Sequence, residues 1–291
     1  MTEDRTLQVE DPAPARGFVL AATGEGYRKL ARRAARTVRS VMPDIAIDLF
    51  TDSPLDDPVF DRVHLLEAGG PRPKMEALRR SRFERTVYLD CDVVMVAPVP
   101  ELFEVLKETE FAGAHELYGS SPVHLQKVRR EIPHAFRQVN SGVLGVRKTP
   151  RTEAFLQRWQ DDFVALKLMF DQPLLRELLY ENRDGMRVVI LPMEYNQMHP
   201  ATLRVSSNRM MAPRFLHLTR LHEDDSHQEP VDQPFDVAAL LTPPMRDKLN
   251  SLIRTDRTLG AARDFRTYVG DTFRKAPFVY RLARKVRRFF T

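Results

Sequence analysis

Apolar and polar positions along this chain follow two alternating periods. The run GFVLAAT (17–23) is continuously apolar over a strand's length and ends at Gly24-Glu25-Gly26. The period then becomes helical. Tyr27, Leu30, Ala31, Ala34, Ala35, Val38 and Val41 recur on one face, Arg28, Arg32, Arg36 and Arg39 on the other, and Pro43 stops the pattern. IAIDLFTD (45–52) and RVHLLEA (62–68) read as strands, RPKMEALRRSRF (72–83) as a helix opening near a proline, and TVYLD (86–90) as a further strand. Strands alternating with helices predict a mainly parallel sheet covered by helices.

Past residue 100 the order loosens. VNSGVLGV (139–146) predicts a strand, RTEAFLQRWQDDFVALK (151–167) and DQPLLRELLYEN (171–182) two helices, and MRVVILP (186–192) and RFLHLTR (214–220) two more strands. The stretch from Leu221 to Leu241, rich in acids, histidines and prolines, predicts a loop or linker before C-terminal helices. No internal repeat or low-complexity tract is visible.

Composition narrows the class. The chain has 291 residues, 43% of them hydrophobic and 29% charged, enough for one large core with an appendage. Its single cysteine excludes an intramolecular disulfide and fits a reducing compartment, so a cytoplasmic location is expected. The N-terminal stretch is acidic and lacks the apolar core of a signal peptide. No segment approaches the roughly 18 consecutive apolar residues of a spanning helix. Seven Lys or Arg against one acid between Asp271 and Thr291 give +6, so the other 270 residues carry −1 of the total +5. The body is therefore not basic, and nucleic acid is not expected as a partner. In the tail (274–290), Phe278, Leu282, Val286, Phe289 and Phe290 recur at helical spacing among Arg281, Arg284, Lys285, Arg287 and Arg288. Such a helix can lie on an anionic membrane surface; a solvated basic face packed on the domain is the competing reading.

The chemistry concentrates at RTVYLDCDVVMV, where Asp90 and Asp92 flank Cys91 at the end of an apolar strand. Ligands of open α/β sheets collect at the carboxyl ends of strands. Two carboxylates crowded at i and i+2 repel unless a cation lies between them, and their hard oxygens suit Mg²⁺ or Mn²⁺ beside a phosphate. The same residues fit an aspartyl-phosphate phosphatase, with Asp90 as nucleophile and Asp92 as general acid. That motif belongs on a first strand with a downstream acidic pair. Here it sits on about the fourth, and Asp161-Asp162 and Asp224-Asp225 do not close strands.

KMEALRRSRFERTVYLDCDVVMVAPVPELF, followed in order by VNSGVLGVRK, DQPLLRELL, LPMEYN and FLHLTR, resembles the GT-A glycosyltransferases that use nucleotide sugars, especially the glycogenin-like and lipooligosaccharide galactosyltransferase-like retaining group. The resemblance covers roughly residues 17 to 220. It implies that Asp90 and Asp92, with His217 as third protein ligand, bind Mn²⁺ or Mg²⁺ on the diphosphate of a UDP-sugar. Thr23 and Tyr27 would face the base, although Tyr27 also sits on the helix's apolar face, where a core contact competes. Lys74 would reach a phosphate, with a solvated lysine as the alternative. Asn140, Ser141 and Asn196 would contact the donor. Asp171 would bind the hydroxyls of the transferred sugar, with a helix cap as the competing role, and Gln172 would lie near the anomeric carbon. The family's glycine and lysine after the histidine are missing; Arg220, Leu221 and His222 stand nearby, with Arg220 the substitute for the phosphate contact.

The sequence thus predicts an α/β protein with a GT-A-type Rossmann-like sheet over 17–220, preceded by an extended segment (1–16) and followed by a linker and a C-terminal helical region with a basic amphipathic tail (221–291). The implied activity is metal-dependent transfer of a hexose, with retention, to a glycan or lipid-linked acceptor, the enzyme being cytoplasmic or peripheral on the inner face of the membrane. The alternatives are the phosphatase and a non-catalytic protein that binds membrane surfaces or polyanions.

Overall fold

In the computed structural model, residues 14–67 and 72–260 are described. Most of the expected N-terminal segment and the basic tail at 274–290 lie outside these residues.

The apolar run predicted as the first strand forms β1 (Arg16–Ala22), buried from its second residue onward. It is a central strand, paired in parallel with β2 (Ala46–Thr51) and β4 (Arg85–Leu89), and it is apolar on both faces because both are covered. Successive side chains then divide between two cores: Phe18 and Leu20 point to one, Val19 and Ala21 to the other. The first core is closed by α1 (Glu25–Val41), whose buried face contains Leu30, Ala31, Ala34, Ala35 and Val38. The second is closed by α2 (Lys74–Arg80), α4 (Pro150–Ala165) and α5 (Gln172–Glu181), with Trp159 and Phe155 fully buried between them. Each such aromatic contributes roughly 1.5–3 kcal/mol of burial.

With β3 (Arg62–Leu65), β6 (Phe111–His115), β7 (Val139–Arg147) and β8 (Val188–Leu191), the sheet has the order β3-β2-β1-β4-β7-β6-β8. Only β7 runs against its neighbours, so the sheet is mainly parallel, as predicted. The reversal matters for function. An antiparallel β7 starts where its partner β4 ends, and Asp90 N donates to Gly142 O at 2.8 Å across that end.

Three elements lie in the stretch the sequence left unassigned: β5 (Val93–Met95), α3 (Pro100–Glu108) and β6. β5 pairs antiparallel with β9 (Phe215–His217), Val93 opposite His217, in a small second sheet. Thr37 of α1 anchors it by accepting from Met95 N at 3.0 Å. Among the described residues no helix is long and apolar enough to cross a membrane.

The segment read as a linker is tied down at several points. Buried Arg33 donates to the carbonyls of His227, Glu229 and Pro234 and stacks over Phe235 at 4.7 Å. The segment ends in a short α6 (Val237–Leu240), and α7 (Pro243–Thr255) follows. Leu240, Leu249 and Leu252 join the same core as α1. Arg214, fully buried, bonds Asp256 at 2.9 Å.

Candidate active site

A cleft of about 790 Å³ opens at the carboxyl ends of β1 and β4 and the start of β7. Its floor is the turn after β4. Val93 N donates to Asp90 O at 3.1 Å, closing Asp90-Cys91-Asp92-Val93 into a tight turn. The Cys91 thiol donates to Ala21 O at 3.3 Å, and burial pushes its pKa well up, so it is a small packed hydrophobe rather than a nucleophile. Both aspartates line the cleft.

Strand pairing delivers the third group. Because Val93 stands opposite His217 and Leu218 N donates to Asp92 O at 2.9 Å, the imidazole lies against the aspartate turn. One ligand atom each from Asp90, Asp92 and His217 falls within 4.8 Å of the others. The orientation of His217 follows from a chain of partners. A Glu116 carboxylate only accepts, so Asn140 donates to it through Nδ2 at 2.7 Å; Asn140 Oδ1 therefore accepts from Asn196 Nδ2 at 2.7 Å. Asn196 Oδ1 is left to accept from His217 Nδ1, 3.0 Å away. The proton is fixed on Nδ1 and Nε2 faces the carboxylates, the arrangement of a metal-ligating histidine with its outer support.

Asp92 is nearly inaccessible, and His217 and His222 approach it at 3.3 Å (Oδ1) and 2.9 Å (Oδ2). Burial alone would raise its pKa, but the two imidazoles hold it far below the carboxylate range. Burial would likewise lower both histidines, and Asp92 reverses this, raising them. The 3.3 Å contact is too poorly aligned to be a hydrogen bond, so Asp92 Oδ1 is a buried oxygen without one. An orphaned carboxylate oxygen, a neighbouring carboxylate and an imidazole nitrogen together form a donor set that fits a divalent ion.

Lys74, at the start of α2, is buried rather than solvated. Its Nζ lies 3.0 Å from Asp90, 2.9 Å from Ser141 Oγ and 3.6 Å from Asp171. Burial would lower its pKa, but Asp171 and Asp90 outweigh that and raise it. Asp171 precedes α5 without capping it; its carboxylate accepts from Ser141 Oγ at 2.8 Å and lies 3.7 Å from Arg72. Burial raises the Asp171 carboxyl, and the Lys74 and Arg72 cations bring it below its ordinary value. Gln172 Oε1 accepts from Ser141 N at 3.0 Å.

The structure therefore gathers Lys74, Asp90, Asp92, Asn140, Ser141, Asp171, Gln172 and His217 at one cleft, with Thr23 and Tyr27 on its rim. Tyr27 is 49% exposed, so it makes no core contact. Asn196 supports His217 from behind. Arg220 is not brought in: its guanidinium donates to the Leu240 carbonyl and does not line the cleft. The phosphatase's acidic pairs are also elsewhere, Asp162 pairing with Arg129 at 2.8 Å. Sequence reasoning missed His222 and the opposite wall, where Glu116, Tyr118, His124 and His199 line the cleft. Tyr118 and His199 meet at 3.0 Å across 81 residues of chain. No local pattern signals such a pair.

No protein-family profile and no curated protein sequence matches the chain. Solved structures do. An active-site mutant of LgtC superposes with a TM-score of 0.55 at 15% identity, over 86% of this chain and 99% of its own. The galactosyltransferase LgtC in complex with donor and acceptor sugar analogues gives 0.53 at 14% identity, over 85% and 98%. The glycosyltransferase GlyE of Streptococcus pneumoniae TIGR4 gives 0.53 at 16% identity, over 90% of this chain and 64% of its own. The chain has the GT-A fold, in the form seen in LgtC.

Proposed function

We propose that the chain is a metal-dependent glycosyltransferase that moves a hexose, with retention, from a UDP-sugar to a glycan or lipid-linked acceptor. The observation that carries this reading is the convergence of Asp90, Asp92 and the oriented His217 on one point of a cleft at the strand ends. LgtC, a fold neighbour, has been crystallised with donor and acceptor sugar analogues, which supports a sugar-transfer reading of this cleft.

A divalent ion held by Asp90, Asp92 and His217 would act as a Lewis acid on the diphosphate leaving group. The chain's own residues supply the rest. The Tyr27 ring and Thr23, on the cleft rim, bind the base end. Lys74 fixes Asp90 and Asp171 on either side of its ammonium, so the metal side and the sugar side keep a constant separation. Asp171 receives sugar hydroxyls, and Asn140 and Ser141 complete the donor wall.

Retention through a covalent sugar needs a free carboxylate, and among the described residues the cleft offers none. Asp171 is held by Ser141 and two cations, Glu116 by Asn140, and Gln172 is an amide already accepting from Ser141 N. Front-face attack, with the departing phosphate oxygen taking the acceptor's proton, fits these groups. The acidic pairs weighed for the phosphatase, Asp161-Asp162 and Asp224-Asp225, do not line the cleft.

We place the enzyme in the cytoplasm, with the tail at 274–290 on an anionic inner leaflet where a lipid-linked acceptor would reside. Salt-sensitive sedimentation with phosphatidylserine vesicles tests that part, and no sedimentation at low salt removes it. For the activity, a panel of nucleotide sugars with Mn²⁺ is screened for release of nucleoside diphosphate. One UDP-sugar should be consumed by the wild type and not by Asp92→Ala; turnover that survives Asp92→Ala refutes the site.

A further inference from the structure

The turn that follows β9, Thr219–His222, ends in a histidine to which the proposed function gives no role. Two imidazoles face the Asp92 carboxylate, one at each oxygen. His217 Nε2 stands 3.3 Å from Oδ1, and His222 Nε2 comes closer, 2.9 Å from Oδ2. The other side of the His222 ring packs on Tyr27, with centroids 4.9 Å apart and planes tilted by 47°. His222 thus touches both the aspartate at the metal point and the exposed ring at the cleft rim, and its side chain, 29% exposed, borders the cleft.

We propose that His222 is a positioning residue that joins the two ends of the nucleotide site: its Nε2–H clamps Asp92 Oδ2, leaving Oδ1 as the ligand atom, while its ring holds Tyr27 against the cleft. The inference rests on the glycosyltransferase reading above. A carboxylate's terminal torsion is broad and nearly twofold, so an unclamped Asp92 would present either oxygen over a range of angles. A 2.9 Å contact at Oδ2 restricts that freedom before the ion arrives. Outer partners of this kind typically change metal affinity by about 10- to 100-fold when lost. The ring contact has a separate consequence. It limits Tyr27, an otherwise exposed side chain, to orientations that face the cleft.

Two substitutions separate the roles. His222→Gln places an amide N–H near the Nε2 position but has no ring; His222→Phe keeps the ring and has no donor. Mn²⁺ alone is titrated and followed by the electron paramagnetic resonance of the free ion, and UDP binding is then measured calorimetrically at saturating Mn²⁺. His222→Gln should bind Mn²⁺ within about 3-fold of wild type and His222→Phe at least about 10-fold more weakly. For UDP the order should reverse, His222→Phe staying near wild type and His222→Gln binding more weakly. Equal Mn²⁺ affinities in all three proteins overturn the clamp, as does an equal loss in both variants with unchanged melting temperatures. Equal UDP affinities overturn the ring's role. A wild type that takes up no Mn²⁺ overturns the metal site itself and the inference with it, whereas uptake by the wild type leaves the glycosyltransferase reading standing whatever His222 does.

Discussion

Charge at single residues ties the walls of this cleft together. Lys74 has a buried ammonium between two carboxylates, each too close to the other's field to be left alone. Removing one partner of a buried pair costs far more than the pair itself contributes, because the remaining charge is stranded. Lys74→Met, similar in length and uncharged, should therefore lower the unfolding free energy by about 3 kcal/mol, read as a drop in the urea midpoint. An unchanged midpoint would mean that Asp90 and Asp171 are accommodated by Arg72 and Tyr88 alone. At this scale the sequence was only partly readable. Asp90 and Asp92 announce themselves by closing an apolar strand. Lys74 looks like any helix-opening lysine, because its burial depends on Ser141 and Asp171, 67 and 97 residues further on. His222 appears in the sequence only as a departure from a family pattern, and its role at Asp92 becomes visible through the pairing of β5 with β9.

At the scale of elements, strand register carries the function. β7 has a glycine, Gly142, where the strand passes His217, and a Cβ built there would lie 2.3 Å from Cε1 and 2.6 Å from Nδ1 of the imidazole. Gly142→Ala should thus push the ring off Asn196 and weaken Mn²⁺ binding by about 10-fold or more, with the sheet still formed. Mn²⁺ titration with circular dichroism as the control checks this, and wild-type affinity would show that His217 can retreat without cost. The strongly periodic elements were legible: the apolar face of α1 and the runs of β1, β2 and β4 need no tertiary information. The unassigned stretch shows what does. β5 is three residues long and gains its identity from β9, and the FAGAH run of β6 is weak in β-branched side chains, so burial against β7 and β8 decides it. The LFEVL face of α3 was periodic enough to be read, since Leu102, Phe103 and Leu106 are its buried residues.

For the whole molecule, the two-layered core is locked by ion pairs between distant segments: Asp57 to Arg32 and Arg36, Glu177 to Arg129, Asp256 to Arg214. Burial raises these carboxyls, but the donors facing them outweigh it, the Thr258 hydroxyl first at Asp256 and the guanidiniums and backbone N–H groups at all three, and set each folded pKa below its ordinary value. A depressed folded pKa contributes stability that is fully present above the unfolded value and lost as pH falls through the folded one. Melting temperature should accordingly be flat with respect to these groups above the ordinary values of 3.8 for Asp and 4.5 for Glu, and fall steadily below them. A melting temperature that rises on acidification would contradict these assignments. The same architecture places the cleft where β4 meets its antiparallel neighbour. In the proposed site, Asp90, Asp92 and His217 hold an ion through which a nucleoside diphosphate binds. UDP is titrated calorimetrically with and without Mn²⁺ into wild type and Asp92→Asn. Heat of binding is expected only for the wild type with Mn²⁺; UDP binding of equal affinity without the ion, or in Asp92→Asn, would rule the site out.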